Sequence, residues 1–80
     1  MPLDDLKGQV GVREIGAAIG VHHSTISDWW NEDRDRRFED APHVTWGLKG
    51  RRLCDAEEAR RWIRARVARM PSWVVKRLNL

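Results

Sequence analysis

The feature that most restricts this chain of 80 residues is the stretch from Val12 to Asn31, where two short apolar helices must meet at a glycine. Val12, Ile15 and Ile19 recur at helical spacing, Gly20 interrupts, and the series resumes with Val21, Ile26, Trp29 and Trp30. Helices that cross at about 90–120° through a turn of about three to four residues need a small residue where they touch. They also need a turn residue that tolerates positive φ. Gly16 and Gly20 fill those two positions. Ile15 and Ile19 are expected inside on the first helix, Val21 just after the turn, and Ile26 and Trp29 on the second. An ordinary helical hairpin meets the same demands, so function must be read from the residues left outside.

Those residues are short and polar. His22, His23, Ser24, Thr25, Ser27 and Asp28 open the second helix, and side chains of this kind reach base edges and phosphates when a helix lies in the major groove of double-stranded DNA. Asp28 is read first as a partner within the protein and second as an acceptor for a cytosine amino group. Up to Asn31 this helix carries no Lys or Arg, so neutralisation of phosphates must come from elsewhere.

Charge is unevenly distributed. Residues 1–42 hold 5 Lys/Arg against 9 Asp/Glu, whereas residues 43–80 hold 10 against 3. A basic half on a small protein suits a polyanion, although a solvated arginine-rich helix face gives the same count. Val44 and Trp46 alternate with polar neighbours, Gly47 and Gly50 bracket a four-residue turn, and Arg51 to Cys54 follow, which predicts a β-hairpin. Lys49, Arg51 and Arg52 lie at or beside that turn, placed to follow the DNA backbone or reach the minor groove. Arg13, Arg34, Arg36 and Arg37 are further candidate phosphate contacts, with local pairing to Glu32, Asp33, Asp35, Glu39 and Asp40 favoured for most of the last three.

The remaining chain frames this unit as one domain, residues 1–80, with its core over about 10–70. A short helix is expected at Leu3 to Lys7, and a polar loop from Asn31 to Asp40 closed by Pro42. Asp55 with Glu58 reads as the capped start of a helix whose inner face is Ala59, Trp62, Ile63, Val67 and Met70. Pro71 stops it, and Ser72 is expected to cap a last short helix in the tail 71–80. Five tryptophans make a compact core feasible at this length. The single Cys54 rules out an internal disulfide, and His22, His23, His43 and Cys54 have no metal-site spacing, so neither metal nor cofactor is expected. Histidines, serines and Asp28 occur without a nucleophile elbow, phosphate loop or carboxylate pair, so the chain is not read as an enzyme. With no membrane-length apolar run and no signal-peptide pattern, a cytoplasmic location is expected.

The order helix, turn, helix, basic hairpin, acid-led helix with an inward tryptophan is similar to the winged helix-turn-helix proteins of the excisionase and AlpA type, relatives of the MerR DNA-binding domain. The residues that carry the resemblance are Val12 to Val21, Ser24-Thr25-Ile26, Phe38, Pro42, Gly50-Arg51-Arg52, and Asp55 to Glu58 leading to Trp62, over roughly residues 10–67. The resemblance implies a mainly α fold with a small β-hairpin, the second helix in the major groove and Lys49, Arg51 and Arg52 on the wing. It implies a recombination directionality factor that binds and bends DNA and turns an integrase towards excision, encoded by a phage or prokaryote and nucleoid-associated. A small transcriptional regulator is the alternative, with a terminase-small-subunit-like domain behind it. The acidic stretch 31–41 and the tail depart from the pattern. The tail is left with three roles: packing on the domain, self-association on DNA, or contact with an integrase.

Overall fold

A computed structural model describes residues 3–78; the ends of the expected domain and tail, residues 1–2 and 79–80, lie outside the described residues. The chain is mainly helical with a small three-stranded antiparallel sheet. After a 3-10 turn at Leu3–Asp5, shorter than the expected helix, come strand β1 (Gln9–Gly11), helix α1 (Val12–Ile19) and helix α2 (His23–Asp35). Strand β2 (Thr45–Trp46), a 3-10 turn at Leu48–Gly50 and strand β3 (Arg52–Asp55) make the hairpin. Helices α3 (Ala56–Ala68) and α4 (Ser72–Val75) end the chain.

Helix α1 starts with the Glu14 carboxylate accepting from the Gly11 N–H at 3.2 Å, which satisfies one of the orphan donors at that end. It stops at Gly20, whose φ of 75° is the left-handed conformation that glycine adopts without a Cβ penalty. The Val21 N–H then donates to Gly16 O at 2.9 Å. A Cβ built on Gly16 would sit 2.3 Å from Val21 O, so only glycine fits where α1 meets the start of α2. The packing demand seen in the sequence is therefore a backbone-on-backbone contact.

Two expectations about α2 need correction. It continues through Asn31 to Asp35 instead of yielding to a loop, and Trp30, not Trp29, is fully buried. Ile26, Trp30 and Asp33 are the buried positions, at helical spacing. The periodicity is hidden in the sequence because its last inward member is a carboxylate. Trp29 is half-buried, with the Arg66 guanidinium 4.9 Å over its ring. The helix ends where Arg37 takes φ 57° and the Phe38 N–H reaches back to Asp33 O at 3.1 Å.

Strand β3 is central, pairing Val10 with Cys54 on one side and Trp46 with Arg52 on the other. Strand β1 was not foreseen, being three residues with a single fully apolar one. The expected capping box on α3 does not form. Asp55 is held in register opposite Gln9 and makes no side-chain cap, while Glu58 turns to His43, accepting from its N–H at 3.5 Å and meeting Nδ1 at 2.7 Å. Instead the Ala56 N–H donates to Gly8 O at 2.8 Å. Ser72 likewise is inside α4, with Pro71 in the cap position.

The core joins Leu3, Leu6, Val10, Ile15, Ala18, Ile19, Ile26, Trp30, Cys54, Ala56, Ala59, Trp62 and Ile63. Trp30 and Trp62 meet at its centre with ring centroids 5.8 Å apart, and each indole N–H is satisfied, by Pro42 O at 3.2 Å and by Asp33 Oδ2 at 2.6 Å. Only these two of the five tryptophans are fully buried. Burial pushes the Cys54 thiol up to about 12, which leaves it an inert core residue. Among the described residues no helix is long and apolar enough to cross a membrane.

Candidate nucleic-acid interface

The N-terminus of α2 is built around a histidine whose structural role was not foreseen. His22 is the N-cap residue: its Nδ1 accepts from the Ser24 N–H at 3.2 Å and lies 2.8 Å from the Ser24 hydroxyl. His23 stacks against His22 with centroids 4.2 Å apart. Partial burial, then the neighbouring His22 ring and the Arg13 guanidinium, lowers the His23 pKa below its ordinary value. Ser24 and Asp28 are exposed, Thr25 and Ser27 half-buried. Asp28 makes no hydrogen bond or ion pair among the described residues, so the pairing role first expected of it is not found.

The hairpin is docked onto α1 and α2 through its two arginines, which go to different partners. Arg51 Nη2 donates to both Glu14 oxygens, at 2.9 and 3.2 Å. Burial pushes the Glu14 carboxyl up, but backbone hydrogen bonding and the Arg51 guanidinium outweigh it and hold the pKa below the ordinary carboxylate value. Arg52 instead crosses to α2, donating to Asn31 Oδ1 at 2.5 Å and Ser27 Oγ at 2.8 Å, with its guanidinium 4.5 Å over the Trp30 ring. Its partners are neutral, so its charge is not cancelled. Burial, then the neighbouring charge of Arg34, lowers the Arg52 pKa. Arg34 lies three residues beyond Asn31 and seven beyond Ser27, on the same face of α2. Lys49 is exposed at the hairpin turn with φ 59°.

Ser27, Asn31, Arg52 and Arg34 thus form one edge, with Lys49 at the hairpin end. His22, His23 and Arg13 lie together at the other end of α2. Arg36 pairs with Glu32 at 3.6 Å, and Arg37 is exposed beyond the helix. Arg51 is drawn off to Glu14, so the three hairpin cations do not act as one cluster.

Two residues of this arrangement were missed. Asn31 lies one turn beyond Ser27 and was lost because the helix was ended there. Asp33 was assigned to loop pairing but is fully buried, accepting from Trp62, from Arg66 at 2.8 Å and from Arg69 at 3.5 Å. That network, with Arg64 on Asp4 and Arg60 on Leu6 O at 2.5 Å, alters the meaning of the basic C-terminal half. Much of its charge answers the acids of the N-terminal half. Among the described residues no three His, Cys, Asp or Glu side chains gather as a metal site would require.

In comparisons with known proteins, no family model, curated protein or solved structure matches this chain, and its chemistry has to be read from the edge formed by α2 and the hairpin.

Proposed function

We propose that the chain binds double-stranded DNA as a winged helix-turn-helix, with α2 in the major groove and the β2–β3 hairpin as the wing. The observation that carries this reading is the bridge from Arg52 to Ser27 and Asn31, which ties a cation with neutral partners to the polar face of α2. Reader and clamp are then one rigid surface, so a helix poor in cations gains charge at its flank. Lys49 and Arg34 extend the clamp on one side and Arg13 on the other.

Binding, not catalysis, is the proposed activity: His22 serves as a helix cap and His43 is engaged by Glu58. The resemblance in the sequence favours an excisionase-like role, in which adjacent copies on DNA direct an integrase towards excision. Trp73, 63% exposed on α4, favours a second reading as a two-fold transcriptional regulator that associates through the tail.

Fluorescence anisotropy with a labelled duplex over a salt series tests the proposal. A steep fall of log affinity with log salt is expected, by about one counterion per phosphate contacted. Affinity independent of salt overturns it. Footprinting then separates the two roles: several direct repeats for the excisionase-like binder, one inverted repeat about a helical turn apart for the regulator.

A further inference from the structure

Trp46 and Leu48 stand out from the rest of the hairpin. They are 67% and 89% exposed, while the indole of Trp30 nearby is fully covered. Large apolar side chains clustered at one projecting turn need a partner more than singly scattered ones do.

We infer that Trp46 and Leu48 form an apolar wedge that enters the minor groove next to α2 and partly unstacks a base step there. The inference rests on the DNA-binding reading above. Three observations support it. Trp46 is paired in register with Arg52, the residue that bonds Ser27 and Asn31, so the wedge stands directly at the flank of the polar face of α2. The turn is braced, with the Gly47 N–H donating to Arg51 O at 2.7 Å and the Arg51 N–H to Leu48 O at 3.2 Å, and a preorganised tip loses little entropy on insertion. Residues 45–52, TWGLKGRR, hold no acid, and of their three cations Lys49 and Arg52 are not paired with a carboxylate among the described residues, while Arg51 is held by Glu14.

That last feature selects the occupant. A duplex offers an apolar stack of bases between two rows of phosphates, which fits an apolar tip flanked by Lys49 and Arg52. Wedges of this kind kink DNA by unstacking a step at a cost of about a few kcal/mol, which added contacts offset. Flexible pyrimidine–purine steps cost least, so the wedge adds a preference for them without reading any base edge.

The test is topological and needs no known target sequence. Relaxed closed-circular plasmid is incubated with the protein and a type I topoisomerase, deproteinised, and its linking number read on a gel. Occupancy is matched by anisotropy. The native chain is expected to lower the linking number in proportion to protein bound. Trp46→Ala with Leu48→Ala should keep the salt slope and thermal stability, both residues being exposed, while abolishing the topological shift. Trp46→Phe with Leu48→Met, which keeps apolar bulk, should retain it. Lys49→Ala should weaken binding but leave the shift per bound protein unchanged.

If the double alanine variant unwinds plasmid as the native chain does at equal occupancy, the wedge is overturned and the DNA-binding reading stands. If the native chain shows no salt-dependent duplex binding, that reading falls first. If the double alanine variant instead converts a dimer to a monomer in sedimentation, the tip is covered by a second copy and the wedge is again overturned.

Discussion

The hairpin and helix α3 are both rich in arginine, and they differ in what answers the charge. On α3, Arg66, joined by Arg69 just past the helix end, holds Asp33, a carboxylate with 0% exposure. On the hairpin, Arg52 holds a serine hydroxyl and an asparagine carbonyl. In the first case the positive charge is consumed by the fold. In the second the geometry is fixed but the charge stays available to an anion. Net charge and its distribution along the chain do not distinguish these cases; only the partners do.

The largest effect should come from breaking the α3 side. Asp33→Asn removes the buried carboxylate that lies 2.8 Å from the guanidinium of Arg66, only 14% exposed, and leaves Arg66 the looser contact with Glu32 at 3.7 Å. Loss of one partner from a buried pair costs about 3–5 kcal/mol, a large part of the roughly 5–15 kcal/mol that holds a domain folded. Urea denaturation should show the midpoint falling sharply, while duplex binding by the remaining folded protein keeps its salt slope. A loss under about 1 kcal/mol would mean that these arginines are not committed to the fold, and the contrast with the hairpin would collapse.

The hairpin side gives a binding effect instead. Arg52→Ala should weaken duplex binding about tenfold and reduce the salt slope by about one, as expected for a cation that contacts phosphate. Because it also releases Ser27 and Asn31, site preference should change in a selection from random duplexes. Glu14→Gln should act in the opposite direction and less strongly. It frees Arg51 from a carboxylate while the amide oxygen still accepts from the Gly11 N–H, so affinity should rise about threefold and the slope steepen. An unchanged slope in both variants would remove the hairpin from the interface.

The joint between α1 and α2 was legible in sequence because it depends on local sterics: Gly16 and Gly20 are demanded by a contact and a dihedral angle, and no other residue type meets them well. The hairpin was legible for a similar reason, with two glycines bounding an alternating strand. What escaped was decided by distant partners. Asp33 is polar, and the indole of Trp62 and the guanidinium groups of Arg66 and Arg69, 29, 33 and 36 residues away along the chain, make its burial tolerable. Once Asp33 is allowed inside, α2 is one turn longer, Trp30 replaces Trp29 in the core, and Asn31 joins the edge with Ser27. Glu58 was misjudged likewise: a local cap was expected, and the His43 ring 15 residues earlier took the carboxylate. The residues that line the edge of α2 and the hairpin were mostly readable from type and position. Which of its cations remain free was not.

The smallest expected effect tests the contrast where it is least visible. Arg61 and Arg64 lie on the outer face of α3, paired with Glu57 at 3.9 Å and with Asp4, and their side chains are 64% and 60% exposed. By appearance they form a basic stripe suited to DNA. Exposed pairs contribute about 0–1 kcal/mol, so Arg61→Ala with Arg64→Ala should scarcely alter the urea midpoint. It should also leave the salt slope unchanged, because these two arginines meet Glu57 and Asp4 instead of the α2 edge. Unlike Arg66, these two can be removed without stranding a buried carboxylate, so a change in binding could not be blamed on the fold. A slope reduced by one or two would place α3 against phosphate and widen the interface to a second face. An unchanged slope would confine DNA contact to the one edge where a cation is held by neutral partners.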